Sequence, residues 1–199
     1  MLLLSNIAMP AFHDTPIVRV VEQAYRMRLL VFGLAFVAAA VVFNANGASI
    51  ALPALFALNA CAWPAMARAF ALRSPDPHGV EFRNLLIDSA LGGAWIALLQ
   101  FNLLPCALLT VVLSCDKAIA GGWGLMLRGW VVQAAACVLT LALHGLTFAP
   151  QSSTMEILAA LPLLIAYPLM LGLRLRRLGA RDETDAPAGG GFAGDTHIA

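Results

Sequence analysis

The stretch LLIDSALGGAWIALLQFNLLPCALLTVVLSCDKAIA, residues 85–120, is almost continuously apolar and decides how this chain folds. A single α-helix over these 36 residues would be about 54 Å long, whereas the hydrocarbon core of a bilayer is about 30 Å thick. The sequence FNLLP at 101–105 offers a turn in the middle, because Pro105 suits the first turn of a following helix. The stretch therefore predicts two membrane-spanning helices joined by a tight turn.

All twelve basic residues lie in alternate gaps between the apolar runs. Membranes hold Lys and Arg on the cytoplasmic side, so this alternation is typical of a multi-span helical protein with both termini in the cytoplasm. The basic gaps are the start of the chain, 68–83, 117–128 and 174–181, whereas the gaps at 44–49, 100–104 and 144–154 hold none. A single span over 85–120 would break the pattern. We therefore expect a multi-pass membrane protein.

The composition agrees with this interpretation. The chain of 199 residues is 61% hydrophobic and 12% charged, with a mean hydropathy of +0.83, which is too much apolar surface for one soluble core. The net charge of +1 gives no indication of nucleic-acid binding, because the basic residues lie at membrane borders rather than on one stripe, and no nucleic-acid partner is expected. The lipid bilayer is the first expected partner.

We predict an all-α integral membrane protein built as a bundle of six transmembrane helices, with five as the alternative count. The cytoplasmic or interfacial segment 1–24 precedes the six-helix domain 25–178, and 179–199 is predicted to be a disordered cytoplasmic tail because it is polar and glycine-rich. The predicted spans are 29–45, 48–71, 84–101, 105–120, 126–147 and 154–173.

Asp88 is the most informative polar residue, because it lies about a turn inside the third predicted span. A charged Asp at mid-helix costs about 2.5–3.5 kcal/mol on insertion scales, so it needs a partner. Asp88 and Lys117 flank the predicted turn at nearly equal distances, which predicts an ion pair at matching depth. Asp116 would then be neutralised by Arg83 or Arg128. The pair is interpreted either as a structural lock or as part of a titrating or ligand-binding site.

Two groups of residues are candidates for function and packing. Glycine patches let membrane helices approach closely, either within one chain or at a homodimer face. The polar candidates for sensing within the membrane are Arg83, Asn84, Asp88, Asn102, Asp116 and Lys117, and the packing candidates are Gly92, Gly93, Gly121 and Gly122. The four tryptophans are interpreted mainly as anchors near the span ends.

No motif for catalysis, a metal or a cofactor stands out. The four cysteines lie apart, without the short paired spacing of a zinc site. His78 has no companion ligand nearby, and His144 near the end of a span is either a ligand or pH-sensing group or, as is usual for a lone histidine, structural. No nucleophile motif, phosphate-binding glycine loop or paired-carboxylate arrangement occurs. We therefore expect a protein that is not an enzyme, with no metal and no cofactor.

A series of short motifs carries a family resemblance over about three-quarters of the chain. In order they are Asn59 with WP at 63–64, RSPDP at 73–77, RNLL at 83–86, DSALGGAW at 88–95, FNLLP at 101–105, DK at 116–117, GGW at 121–123 and RG at 128–129. From about Tyr25 to Leu178 the chain resembles the second class of membrane-associated sensor domain, the MASE type. Such domains lie N-terminal to bacterial diguanylate cyclases and some adenylate cyclases.

The resemblance implies a non-catalytic sensor or anchor that regulates cyclic-nucleotide signalling. A cyclase in the cytoplasm or the membrane is the implied partner, and the chain would act on it in trans or as the separated membrane half of a cyclase. The Gly-Gly-Asp-Glu-Phe signature does not occur, so cyclase activity is not expected. A small transporter or channel that uses Asp88, and a structural membrane scaffold, are the alternatives.

Overall fold

The structure is a computed structural model that describes residues 16–145 and 148–185. The described residues form helices and connecting turns, and no β-strand occurs among them. The helices are α1 Pro16–Ala45, α2 Ala51–Arg73, α3 Pro77–Leu98, α4 Leu103–His144 and α5 Thr154–Asp185. The chain divides into two compact units, Met1–Leu164 and Ile165–Ala199, and the contacts described below lie in the first. The fold is thus all-helical over the part that the structure describes.

Within residues 16–145 and 148–185, four helical segments are long and apolar enough to cross a membrane. They are Val18–Ala45, Ala51–Arg73, Leu103–His144 and Thr154–Leu173. The remaining helix, α3, is outside this set because Glu81, Arg83 and Asp88 interrupt its apolar sequence. It packs against α4, α2 and α1, so part of its surface is covered by protein. The predicted third span at 84–101 is therefore an inner helix of mixed polarity.

The predicted turn in the decisive stretch is confirmed. α3 ends at Leu98 and α4 begins at Leu103, with Pro105 in its first turn. Gln100 and Phe101 both take left-handed backbone conformations, with φ of 56° and 60°. Such conformations are costly without glycine, and surrounding contacts must hold them. The contacts include the bond from the Ala149 amide to the Gln100 carbonyl at 2.9 Å.

The count of six separate helices differs from the observed five, and the difference lies in α4. This helix of 42 residues joins the predicted fourth and fifth spans, with non-helical backbone at Gly121 and Gly122. Thr110 and Gln133 would be about 34 Å apart along a straight helix, yet their side chains form a hydrogen bond of 3.0 Å. The chain therefore reverses within two residues, and α4 has two antiparallel limbs, 103–120 and 123–144.

The reversal predicts a sharp contrast between two neighbouring glycines. Gly122 has φ 66° and ψ −161°, a region that is essentially restricted to glycine, and a Cβ there would meet no atom within 4 Å. Gly122→Ala should therefore lower the free energy of unfolding by about 1–3 kcal/mol through backbone strain alone. Gly124→Ala is the matched control, because it has equal space in a helical conformation and should be neutral or stabilising. Thermal unfolding of both variants in detergent tests the contrast, and equal melting temperatures would contradict it.

Two of the predicted packing glycines bring α3 close to α4. A Cβ on Gly93 would collide with the backbone oxygen of Gln133, and one on Gly92 would collide with the side chain of Leu113. The two limbs of α4 therefore both lie against the glycine-bearing face of α3. This contact occurs within one chain, and it places the polar residues of α3 between the other helices.

The ends of the predicted domains differ in detail. From Pro16 onward the predicted cytoplasmic or interfacial segment 1–24 is continuous with the first span, because α1 is one helix of 30 residues. α5 extends to Asp185 and so includes the beginning of the predicted tail 179–199. Residues 1–15 and 186–199, which hold the rest of the predicted terminal segments, lie outside the described residues.

Candidate functional site

One face of α3 carries a buried row of polar residues. Glu81, Asn84 and Asp88 are spaced by three and four residues, so they share one face of the helix. All three are buried, and Asp88 is only 3% exposed. Buried polar groups are stable only when they are hydrogen-bonded, and buried charges only when they are paired. The partners of this row therefore determine how the neighbouring helices pack.

The carboxylate of Asp88 joins three helices. Its Oδ2 accepts a hydrogen bond from Nε of Arg28 on α1 at 2.9 Å, and its Oδ1 accepts one from Nε1 of Trp63 on α2 at 2.6 Å. Arg28 is 6% exposed, so this is an ion pair shielded from solvent. Hydrogen bonds that involve a charged group are about twice as strong as neutral ones. Asp88 therefore fixes the positions of α1 and α2 relative to α3.

Arg28 also binds the second carboxylate of the row. Its Nη1 lies 2.9 Å from Oε2 of Glu81, with both side chains largely buried. Asn84, between the two acids, donates from Nδ2 to the backbone oxygen of Ala67 on α2 at 3.1 Å. One guanidinium thus bridges two carboxylates, which makes a second cation nearby electrostatically favourable. We refer to Arg28, Trp63, Glu81, Asn84 and Asp88 as the Asp88 cluster.

That second cation is Lys117, the only lysine of the chain. It is 1% exposed, and its Nζ donates to the backbone oxygen of Leu113 at 2.7 Å. It interacts electrostatically with Asp88, Asp116 and Arg28. The predicted direct ion pair between Asp88 and Lys117 is not formed in this conformation, in which Asp88 pairs with Arg28 and the Lys117 ammonium binds the Leu113 oxygen. With Lys117 included, two buried cations balance two buried carboxylates.

The stem of Lys117 is buried because residue 129 has no side chain. A Cβ on Gly129 would collide with Cδ of Lys117 and would lie 2.6 Å from its Cε and 3.0 Å from Oγ of Ser89. Ser89 follows Asp88 on α3, and Gly129 is on the second limb of α4. The lysine side chain therefore lies between α3 and the folded-back limb, next to the Asp88 cluster.

The other predicted polar candidates lie outside the Asp88 cluster. Arg83 and Arg128 are exposed, and Asp116 is half-buried. The neutralisation of Asp116 by one of these arginines stays a prediction. Asn102 is buried at the opposite end of α3, where its Nδ2 donates to Oε2 of Glu156 at 3.0 Å. Glu156 in turn accepts from the Ser153 amide, so Asn102 ties the α3–α4 turn to the start of α5.

Sequence reasoning missed three residues of the Asp88 cluster, namely Arg28, Trp63 and Glu81. Arg28 was assigned to the cytoplasmic border, and Trp63 was interpreted as a membrane anchor. The observed tryptophans divide into buried Trp63 and Trp95 and exposed Trp123 and Trp130. The spacing of Glu81, Asn84 and Asp88 was the available signal, because a polar face on an apolar helix indicates protein neighbours with matching polar groups.

The chemistry of the Asp88 cluster suits the control of packing rather than catalysis. Breaking a buried ion pair by removing one partner leaves an uncompensated charge and is strongly destabilising. The cluster therefore holds α1, α2 and α3 in a defined arrangement and can report a change in that arrangement. Among the residues that the structure describes, no group of three or more His, Cys, Asp or Glu side chains is arranged to hold a metal ion.

Apolar helices around a buried ion cluster define a membrane-embedded helical module. Residues 23–111 match the family model of the MASE2 domain. The matched range includes the whole Asp88 cluster and Ser89, whereas Lys117 and Gly129 follow it. The sequence-based resemblance to the second class of membrane-associated sensor domains is confirmed.

Similar curated proteins are known from two strains of Escherichia coli. The chain is 34% identical over 110 residues to the probable diguanylate cyclase DgcC of strain K12, and equally to that of strain O6:H1 (CFT073). The alignment covers 55% of this chain and 30% of each relative. The chain thus matches less than a third of the length of these relatives. No solved structure matches the chain significantly.

Proposed function

We propose that this chain is a non-catalytic sensor or anchor domain of the membrane that regulates diguanylate cyclase signalling. The MASE2 match and the similarity to probable diguanylate cyclases support the signalling context. The observation that carries the proposal is the Asp88 cluster, in which one buried carboxylate holds groups from α1 and α2. A change in helix packing must break or rearrange this cluster, so an intact and a rearranged cluster would distinguish two packings of the domain.

The proposed topology is a six-span bundle in the bacterial inner membrane with both termini in the cytoplasm. Support comes from the two limbs of α4, each of which is about as long as a membrane span. Further support comes from basic residues that form ion pairs near one end of the bundle, such as Arg68, whose Nε donates to Oε2 of Glu22 at 2.7 Å. A Lys- and Arg-rich end is expected on the cytoplasmic side.

The proposed mechanism is a shift between two helix packings. A stimulus can drive such a shift only when it interacts with different free energy with the two packings. α5 continues to Asp185 and is the segment that we propose to carry the change to a cyclase. The cyclase would be a separate chain or the remainder of a longer protein, and a homodimer of the membrane domain is compatible with both arrangements.

Co-purification from the native host tests the proposal. The chain is tagged at its N-terminus, extracted in mild detergent and analysed by mass spectrometry, while cyclic di-GMP is measured with and without its expression. We expect a diguanylate cyclase among the bound proteins and a changed cyclic di-GMP level. Recovery of the chain alone, with no change in cyclic di-GMP, would overturn the sensor role and leave transport as the function to test in vesicles.

A variant of the Asp88 cluster separates a sensor from a passive anchor. Arg28→Met combined with Asp88→Asn removes one charge of each sign, so no net charge is added to the interior and folding should be retained. A sensor should lose its effect on cyclic di-GMP in this variant while it still binds the cyclase. An anchor should keep both properties. The matched control is Arg68→Met combined with Glu22→Gln, which removes a partly exposed ion pair.

A further inference from the structure

The hydroxyl group of Ser89 has no hydrogen-bond partner among the described residues, although the residue is fully buried. An unsatisfied buried hydroxyl costs free energy, and more so in a bilayer where water is scarce. Ser89 directly follows Asp88, and its Oγ borders the same space as Lys117, next to Gly129. The hydroxyl therefore lies where it can serve a side chain that moves between Leu113 and Asp88.

Lys117 is suited to such a movement. Its ammonium group carries three donors on a flexible four-carbon stem, and one of them is bound to the Leu113 oxygen. The absence of a side chain at Gly129 leaves room for the stem. Its electrostatic interaction with Asp88 favours a closer approach, and the Ser89 oxygen would accept a hydrogen bond from the moving ammonium.

The charges of the Asp88 cluster also permit an exchange of partners. Arg28 contacts two carboxylates, Asp88 through Nε and Glu81 through Nη1. When Lys117 takes one oxygen of Asp88, Arg28 therefore keeps its ion pair with Glu81. In both arrangements Arg28 faces a carboxylate, and the two buried cations Arg28 and Lys117 are matched in number by the buried carboxylates of Glu81 and Asp88.

We propose that Lys117 is a second, alternative cation for Asp88, and that α3 exchanges between an Arg28-paired and a Lys117-paired state through Ser89. The first state ties α3 to α1, and the second ties it to α4. Gly129 is the positioning residue that keeps the path of the lysine open. The proposal deepens the sensor role proposed above, since it assigns the two packings to two partners of one carboxylate.

The single lysine makes the exchange directly measurable by solid-state NMR. The full chain is labelled with lysine carrying ¹⁵N at Nζ and aspartate carrying ¹³C at the carboxyl carbon, and reconstituted in phosphatidylethanolamine–phosphatidylglycerol bilayers. Dipolar dephasing then gives the fraction of Lys117 with an aspartate carboxylate at ion-pair distance, about 4 Å. We expect a minor paired fraction in the wild type that disappears in Asp88→Asn and persists in Asp116→Asn.

Two further variants should change the fraction of Lys117 that is paired with Asp88 in opposite directions. Arg28→Met removes the competing cation and should make the Lys117-paired state dominant. Ser89→Ala removes the hydroxyl that accepts a hydrogen bond from Lys117 in the Asp88-paired state and should lower the paired fraction about tenfold, as expected for a hydrogen bond to a charged group. A coupling that depends on Asp116, or no Asp88-dependent coupling in both the wild type and Arg28→Met, would overturn the proposal. The measurement reads geometry without a cyclase, so its failure is distinct from a failure of the sensor role.

Discussion

Replacement of Asp88 by Asn is expected to lower the free energy of unfolding by about 3–5 kcal/mol, the usual cost of leaving one partner of a buried ion pair alone. Asparagine preserves the shape of the side chain, and its oxygen can still accept the bond from Trp63. The loss therefore isolates the negative charge that faces Arg28 at 2.9 Å. Chemical or thermal unfolding of the purified protein in detergent measures the effect, together with the yield of membrane-inserted chain.

A matched pair and a rescue make this prediction specific. Glu22→Gln removes a carboxylate from another ion pair with arginine, that with Arg68, whose side chains are 33% and 41% exposed. That change should cost about 0–1 kcal/mol, because solvent screens the pair. Adding Arg28→Met to Asp88→Asn should recover part of the stability, since the excess positive charge in the interior is removed, while Glu81 loses its contact with Arg28. Equal losses for Asp88→Asn and Glu22→Gln, or no rescue, would contradict a buried ion pair at Asp88.

The ion pair between Arg28 and Asp88 shows which part of the site could not be predicted from the sequence. A buried carboxylate is costly without a partner, so the sequence predicted that Asp88 has one. That inference rests on general physical principles alone. The identity of the partner depends on which helix packs beside it. The prediction placed Asp88 and Lys117 at the same depth on either side of the turn at 101–105, so it compared only residues that are near each other in the sequence. Arg28 is 60 residues from Asp88 along the chain. A single sequence gives no distance between α1 and α3, so this partner could not be derived.

The position of the reversal in α4 was predictable from the sequence, but its backbone geometry was not. The glycines at 121 and 122 were recognised as a patch without side chains, and the predicted spans end and begin on either side of them. The bonds of the helix resume immediately after two non-helical residues, so no loop separates the limbs. Helix packing fixes this detail, because Gln133 and Trp130 form hydrogen bonds to the first limb. The turn at 98–103 was predictable because an apolar run of that length cannot cross a bilayer once.

Gly93 is the position at which backbone contact, rather than charge, governs the bundle. A Cβ at this residue would collide with the backbone oxygen of Gln133 and would lie 3.1 Å from the backbone nitrogen of Cys137. Backbone atoms inside a helix cannot move aside without moving the whole helix. The contact between α3 and the second limb of α4 therefore depends on the absence of a side chain here.

Gly93→Leu should for this reason separate α3 from the second limb of α4 and lower the free energy of unfolding by at least about 3 kcal/mol, the upper range for overpacked interiors. Gly33→Leu on α1 is the matched control, because a Cβ there meets no atom within 4 Å and the added side chain is equally apolar. Thermal unfolding of both variants, with cross-linking of cysteines introduced on α3 and α4, measures stability and contact together. If both variants unfold like the wild type, α3 and α4 do not pack through Gly93. If Gly93→Leu folds as a monomer but loses self-association, the glycine face serves a second copy of the chain instead.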